Sequence, residues 1–213
     1  PQPNPACEAL FRPGAFPSLA AMNVRPVLPE LFASHRKRLT DRVPAGALVV
    51  LVSNDEMPRS GDAVFRFHQN PDLYYCCGID QEQTTLILFP DAPDPRHREM
   101  LFLRRTSEHI KVWEGHKYTK DEGRATSGIQ EVRWADELDN FLPMLMGRAQ
   151  SVWLGANEND RASNPVEDRQ ARFARELRKR FPLHDFRRVA PLLRDLRMVK
   201  DEAEIGLIHE ACR

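Results

Sequence analysis

The run Ala47-Leu48-Val49-Val50-Leu51-Val52 constrains this chain more than any other segment. Its length and β-branched content read as one strand, and no polar residue interrupts it, so it belongs in the interior. A strand of that kind needs structure packed above and below it. Helical spacing precedes it: after Pro29, suited to a first helical turn, come Leu31, Phe32, His35, Leu39 and Val43. Segments 84–89 and 99–103 read as strands joined by a short Pro-rich turn, hence as an antiparallel hairpin. The aromatic stretch Leu73-Tyr74-Tyr75-Cys76-Cys77, ending at Gly78, reads as a strand whose neighbouring side chains face opposite ways.

The second half has a different character. Residues 135–146 carry a helical apolar pattern, and 151–155 form a short strand. The charged stretch 166–181 predicts an amphipathic helix burying Phe173 and Leu177. Residues 189–199 and 202–212 predict two more helices, divided near Lys200-Asp201. Hairpin-linked and separate strands interspersed with helices imply an α/β fold, a mixed sheet with helices on its faces. Residues 1–21, rich in Pro, Ala and Gly, are expected to be a disordered leader.

Charge narrows the partners. Lys plus Arg equals Asp plus Glu, 31 each, which argues against nucleic acid as a ligand. The basic run 169–180 reads as a solvated helix face, because Glu176 interrupts it. No apolar run approaches a bilayer span, so no membrane partner is expected. Four cysteines without a C-x-x-C pair suggest free buried thiols in a reducing cytoplasm.

Catalytic signatures are missing. The sequence holds no H-E-x-x-H, no G-x-S-x-G and no phosphate-binding G-x-x-x-x-G-K. His109 and His116 flank Trp113 but stand too far apart to share a helical turn. Two local clusters carry some chemistry. In Trp113-Glu114-Gly115 an aromatic ring beside a glycine turn can cover a ligand or simply pin a loop. In Arg59-Ser60-Gly61-Asp62, read as a loop after the buried strand, the carboxylate can meet an amine or cap a turn.

Certain motifs then carry a resemblance. Met57-Pro58-Arg59-Ser60-Gly61-Asp62, followed by His68-Gln69-Asn70-Pro71-Asp72-Leu73-Tyr74-Tyr75 and Gly78, resembles the N-terminal domain of Xaa-Pro aminopeptidases, the aminopeptidase P branch of the creatinase/prolidase superfamily. Val112-Trp113-Glu114-Gly115 is similar to that family's Trp-x-Gly segment. Leu196-Arg197-Met198-Val199-Lys200-Asp201, with Glu204 and Ile205, resembles its junction into the catalytic domain. His at position 68 and the pair Cys76-Cys77 depart locally from the family pattern.

The resemblance implies a three-layer α/β/α domain with a mixed sheet, ribonuclease H-like, over 22–199. Residues 200–213 would begin the first helix of a "pita-bread" catalytic domain. In that domain two manganese or similar divalent ions, held by two Asp, one His and two Glu, would activate water against the bond before proline. By this reading the present chain has no catalytic residue, no metal ligand and no cofactor of its own, and is inactive alone. Its expected partners are its own catalytic domain, other copies in a homo-oligomer, and proline-containing peptides. Asp62 and Trp113 are expected to line the substrate entrance, with His68 and Tyr74 as further candidates. A prolidase-type dipeptidase fragment and a stand-alone peptide- or protein-binding module are the alternatives.

Overall fold

The computed structural model describes residues 27–159, 161 and 166–212; the expected leader over 1–21 lies outside them. Helix α1 (Pro29–Thr40) leads into strand β1 (Ala47–Val52), every residue of which is buried. A small ribbon, β2 (Pro58–Ser60) with β3 (Ala63–Val64), precedes helix α2 (Pro71–Cys77). Strands β4 (Thr85–Leu88) and β5 (Glu99–Leu103) follow, then helices α3 (Glu108–Glu114) and α4 (Lys120–Ser127). Strand β6 (Glu131–Trp134), helix α5 (Leu138–Met146) and strand β7 (Ser151–Leu154) come next. Helix α6 (Arg169–Arg180), strand β8 (Asp185–Arg188), α7 (Ala190–Met198) and α8 (Glu202–Ala211) complete the order.

The six-stranded sheet runs β6-β5-β4-β1-β7-β8. Strand β1 sits inside it, antiparallel to β4 and parallel to β7, which explains why it tolerates no polar residue. Strands β4 and β5 form the expected antiparallel pair, Ile87 opposite Met100. Period-two alternation then sorts the apolar side chains into two layers. Val49, Leu51, Leu86, Leu88, Leu101 and Leu103 pack beneath α1, α2 and α7. Leu48, Val50, Ile87, Met100 and Phe102 pack against α5 and α6 on the opposite face. Each such fully buried side chain contributes on the order of 1.5–3 kcal/mol. The three-layer α/β/α arrangement with a mixed sheet is therefore present.

The structure departs from the sequence pattern in several places. Leu73 to Cys77 is helical, not a strand. Asn70 accepts from the backbone N–H groups of Asp72 and Leu73, Pro71 occupies the first turn, and Gly78 ends the helix at φ 69°. A Cβ on Gly78 would stand 2.3 Å from the Phe32 ring, so both backbone and packing demand glycine. Tyr74 and Tyr75 still separate into an exposed and a buried side chain, by helical geometry. The segment read as a loop over 54–62 contains β2, and Gly61-Asp62 forms the tip of its two-residue turn to β3, with Gly61 at φ 58°. The helix expected over 166–181 begins at Arg169, capped by Asp168; it buries Leu177 and half-buries Phe173. Cys76 and Cys77 are free and buried as expected, but Cys212 is exposed.

The polar groups inside the α1 layer are anchored over long distances. Arg36, 1% exposed, donates to the carbonyls of Cys76 and Ser127, both at 2.9 Å, and pairs with Glu99 at 3.0 Å. One guanidinium thus ties α1 to α2, α4 and β5.

Candidate functional site

A groove of about 1500 Å³ opens where β1 and β7, parallel neighbours, reach their C-terminal ends. Ligands gather at such ends in α/β sheets because loops there leave the sheet in opposite directions. One wall comes from the loops after β1 and β7, including Asn54, Asp55 and Glu158. The other comes from α1, α2, α7 and α8, with Tyr74, Arg197 and Glu204 among its residues.

The walls are braced by arginines. Arg172 binds both carboxylate oxygens of Asp55, at 2.8 and 2.9 Å. Arg197 reaches Asp72 of α2 at 2.6 Å, and Arg188 grips Glu158 with two bonds of 2.6 Å. Arg169 turns inward and donates to Ser53 Oγ. Burial pulls its guanidinium below the usual value; Asp55 opposes this and Arg172 adds to it. The basic run on α6 is therefore only partly the solvated face that its composition suggests.

The four candidates from sequence do not converge. His68 and Tyr74 line the groove, and Asp62 and Trp113 do not. His68 is exposed, its carbonyl accepting from Asn54 Nδ2 at 2.9 Å. Tyr74 is 41% exposed; burial first, then the charges of Asp80 and Cys77, raises its phenol. Asp62 is exposed at the ribbon tip. Trp113 is 76% exposed near the end of α3, its ring 6.4 Å from that of His109. His116 faces Glu122 at 3.0 Å instead of pairing with His109.

The ground beneath Trp113 is firm. Glu82, buried, accepts from Lys117 Nζ at 2.7 Å and from Arg104 Nη1 at 2.6 Å, while Arg104 Nη2 reaches Glu114 at 2.9 Å. Burial alone would raise the Glu82 carboxyl, but the bonds from Lys117 and Arg104 hold it below its usual value. Gly115 then turns the chain at φ 80°. So α3 presents Trp113 outward beside a partly buried ion network, and not from a loose loop.

Chemistry on this frame is limited. Among the described residues, one group of three His, Cys, Asp or Glu side chains brings ligand atoms together: His35, Asp201 and Glu204. Sequence reasoning missed it, because its members lie at opposite ends of the chain.

The aminopeptidase P N-terminal domain model matches residues 32–153, more than half the chain. The chain belongs to the aminopeptidase P N-terminal domain family. Mouse Xaa-Pro aminopeptidase 3 is 27% identical over 96% of this chain, and the match covers 40% of that protein. The Escherichia coli Xaa-Pro aminopeptidase is 21% identical over 84% of the chain and 41% of its own length. Among solved structures, the Pseudomonas aeruginosa aminopeptidase superposes with TM-score 0.71 at 21% identity, covering 86% of this chain and 41% of that one. Aminopeptidase P from E. coli with the inhibitor Pro-Leu gives 0.69 at 19% identity, covering 85% and 41%. These likenesses establish the fold of the aminopeptidase P N-terminal domain. The chain spans about 40% of the length of the curated relatives it matches.

Proposed function

We propose that this chain serves as the N-terminal, non-catalytic domain of a manganese-dependent Xaa-Pro aminopeptidase, which removes the residue preceding proline. The observation that carries this reading is the alignment of 96% of the chain with 40% of an Xaa-Pro aminopeptidase 3. The expected two-metal ligand set of two Asp, one His and two Glu is not assembled by the described residues, whose one grouping holds a single His, Asp and Glu. On this reading hydrolysis is not the work of this domain, and the chain by itself is expected to show none.

Its work is positional. The Asp72–Arg197 pair and the bond from Arg38 to the Leu196 carbonyl fix α7, and with it the start of α8, against the domain. Exposed Met198, Val199, Ile205 and Ile208 around α8 suit contact with a catalytic domain. Asp62 and Trp113, carried on a ribbon tip and a braced helix, shape the approach of proline-containing peptides to a neighbouring active site in a homo-oligomer. Trp113 offers an apolar wall and Asp62 a carboxylate for an amine. The buried free thiols Cys76 and Cys77 suit a cytoplasmic setting, and no described helix is long and apolar enough to cross a membrane.

The test is an assay of the protein encoded by the whole reading frame, with manganese, on a tripeptide with proline second and on an Xaa-Pro dipeptide. Release of the first residue from the tripeptide supports the proposal. Cleavage of the dipeptide alone points to a prolidase-type enzyme. Peptide capture with no turnover of either substrate points to a binding module.

A further inference from the structure

His35 belongs to α1 and is 2% exposed. Its Nδ1 lies 2.8 Å from the carbonyl oxygen of Tyr75, and a carbonyl can only accept, so Nδ1 carries the proton. The imidazole is also stacked on the Tyr75 ring, centroids 3.7 Å apart and planes within 7°. Ring and tautomer are thereby fixed. In the neutral form of the ring the lone pair is at Nε2, which is buried and has no hydrogen-bond partner.

Two carboxylates face that nitrogen. Asp201 Oδ2 is 3.7 Å away and Glu204 Oε2 is 3.9 Å away. Both belong to the capping box of α8: Asp201 Oδ1 accepts from the Glu204 N–H and Glu204 Oε2 from the Asp201 N–H, each at 3.0 Å. The box holds both side chains in place and leaves Asp201 Oδ2, together with a second lone pair on Glu204 Oε2, to face His35. With the imidazole neutral, three acceptors face one another in a partly buried place, an arrangement that a cation between them would satisfy. These separations exceed an N–H···O bond of about 2.7–3.2 Å. They approach the roughly 3.4 Å expected between two ligand atoms each about 2.1 Å from a tetrahedral zinc ion.

We propose that His35 Nε2, Asp201 Oδ2 and Glu204 Oε2 form a site for one divalent first-row cation of the zinc class, clamping α8 onto α1. One imidazole and two carboxylates are a donor set such ions accept, with water completing the shell. The bond from Nδ1–H to the Tyr75 carbonyl is the outer-shell support usual for a ligating histidine. His35 and Glu204 both line the groove, which provides entry from solvent. Arg38 Nη1, 3.7 Å from Asp201, is the neighbouring charge that competes for this carboxylate. The inference rests on this cluster alone and is independent of the peptidase reading.

The 213-residue chain, stripped with a chelator and titrated with zinc by calorimetry, should bind one equivalent and gain thermal stability. H35Q and E204Q should each weaken binding roughly tenfold or more. Gln at the third helical position still completes a capping box, so E204Q should keep the helical signal of the parent. Two results would overturn the site: no uptake at millimolar zinc, or equal uptake by the parent and both variants, which would place the ion elsewhere, for instance at exposed Cys212. An absence of zinc uptake with stability that rises as pH falls would instead make His35 an imidazolium paired with the two carboxylates, and would equally refute the metal site.

Discussion

The two helical layers flanking the sheet are built on different principles. Beneath α5 and α6 the contacts are mainly apolar, from Leu142, Leu145 and Met146 to Leu177, with Arg169 and Gln170 as polar exceptions at the start of α6. Beneath α1, α2 and α7 the layer also buries His35 and Arg36, whose partners lie far away in sequence. Apolar packing is non-directional and tolerates rearrangement at constant volume. A buried guanidinium with defined acceptors fixes which helix sits where, because displacement leaves it unpaired. The polar layer supplies the wall of the groove that carries α1, α2, α7 and α8, so geometry is specified where position matters.

The comparison can be broken most directly at Arg36. Arg36→Met should remove about 4 kcal/mol of stability, since it leaves the buried carbonyls of Cys76 and Ser127 without their donor; urea unfolding measures it. Leu145→Ala, in the apolar layer, should cost about 3 kcal/mol, from lost transfer energy plus a cavity. A near-neutral Arg36→Met beside a costly Leu145→Ala would mean the polar layer specifies nothing.

Acid should separate the regions as well. The Glu82 carboxyl is held below its ordinary value, and Glu122, bonded to the Thr119 backbone and to His116, is lowered from 4.5 to about 2. A carboxyl depressed on folding adds stability above its unfolded pKa and loses it as pH falls through the folded value. Stability should therefore decline as pH drops from 4.5 toward 2, followed by thermal melting across that window. Glu122 is nearly half exposed, so its share is reduced by solvent, and Glu82→Gln should make the decline shallower. The Leu145→Ala increment should stay constant over the same range.

Smaller effects sharpen the picture. Asn70→Ala should cost about 1 kcal/mol by uncapping α2. Trp113→Ala should change stability by less than about 0.5 kcal/mol, because the ring is exposed. If Trp113 walls the substrate entrance as proposed, the same change in the protein of the whole reading frame should raise KM for longer peptides and leave kcat nearly unchanged. A large loss of stability in Trp113→Ala would make that residue structural.

How far the sequence discloses this follows from how local each signal is. The uninterrupted apolar run of β1 and the Pro-rich turn between β4 and β5 are local, and both lead to the right structure. Leu73 to Cys77 misleads because a short apolar run fits a strand or a buried helix turn equally. Its Asn70-Pro71 start and Gly78 end were the signals that decide it. Helix α4 carries a Thr119–Glu122 capping box that also stood in the sequence. Strands β6, Glu-Val-Arg-Trp, and β8, Asp-Phe-Arg-Arg, are polar edge strands whose pairing comes from their neighbours. Asp62 and Trp113 follow from the motifs, and the fold sets both outside the groove. The grouping of His35 with Asp201 and Glu204 requires α1 and α8 to meet, and no local pattern announces that.

The most direct test is hydrolysis of a tripeptide with proline second, measured in parallel for this chain and for the protein of the whole reading frame, both with manganese. Turnover by the whole protein and none by the chain is the expected result. Release of the N-terminal residue by the chain alone would contradict it.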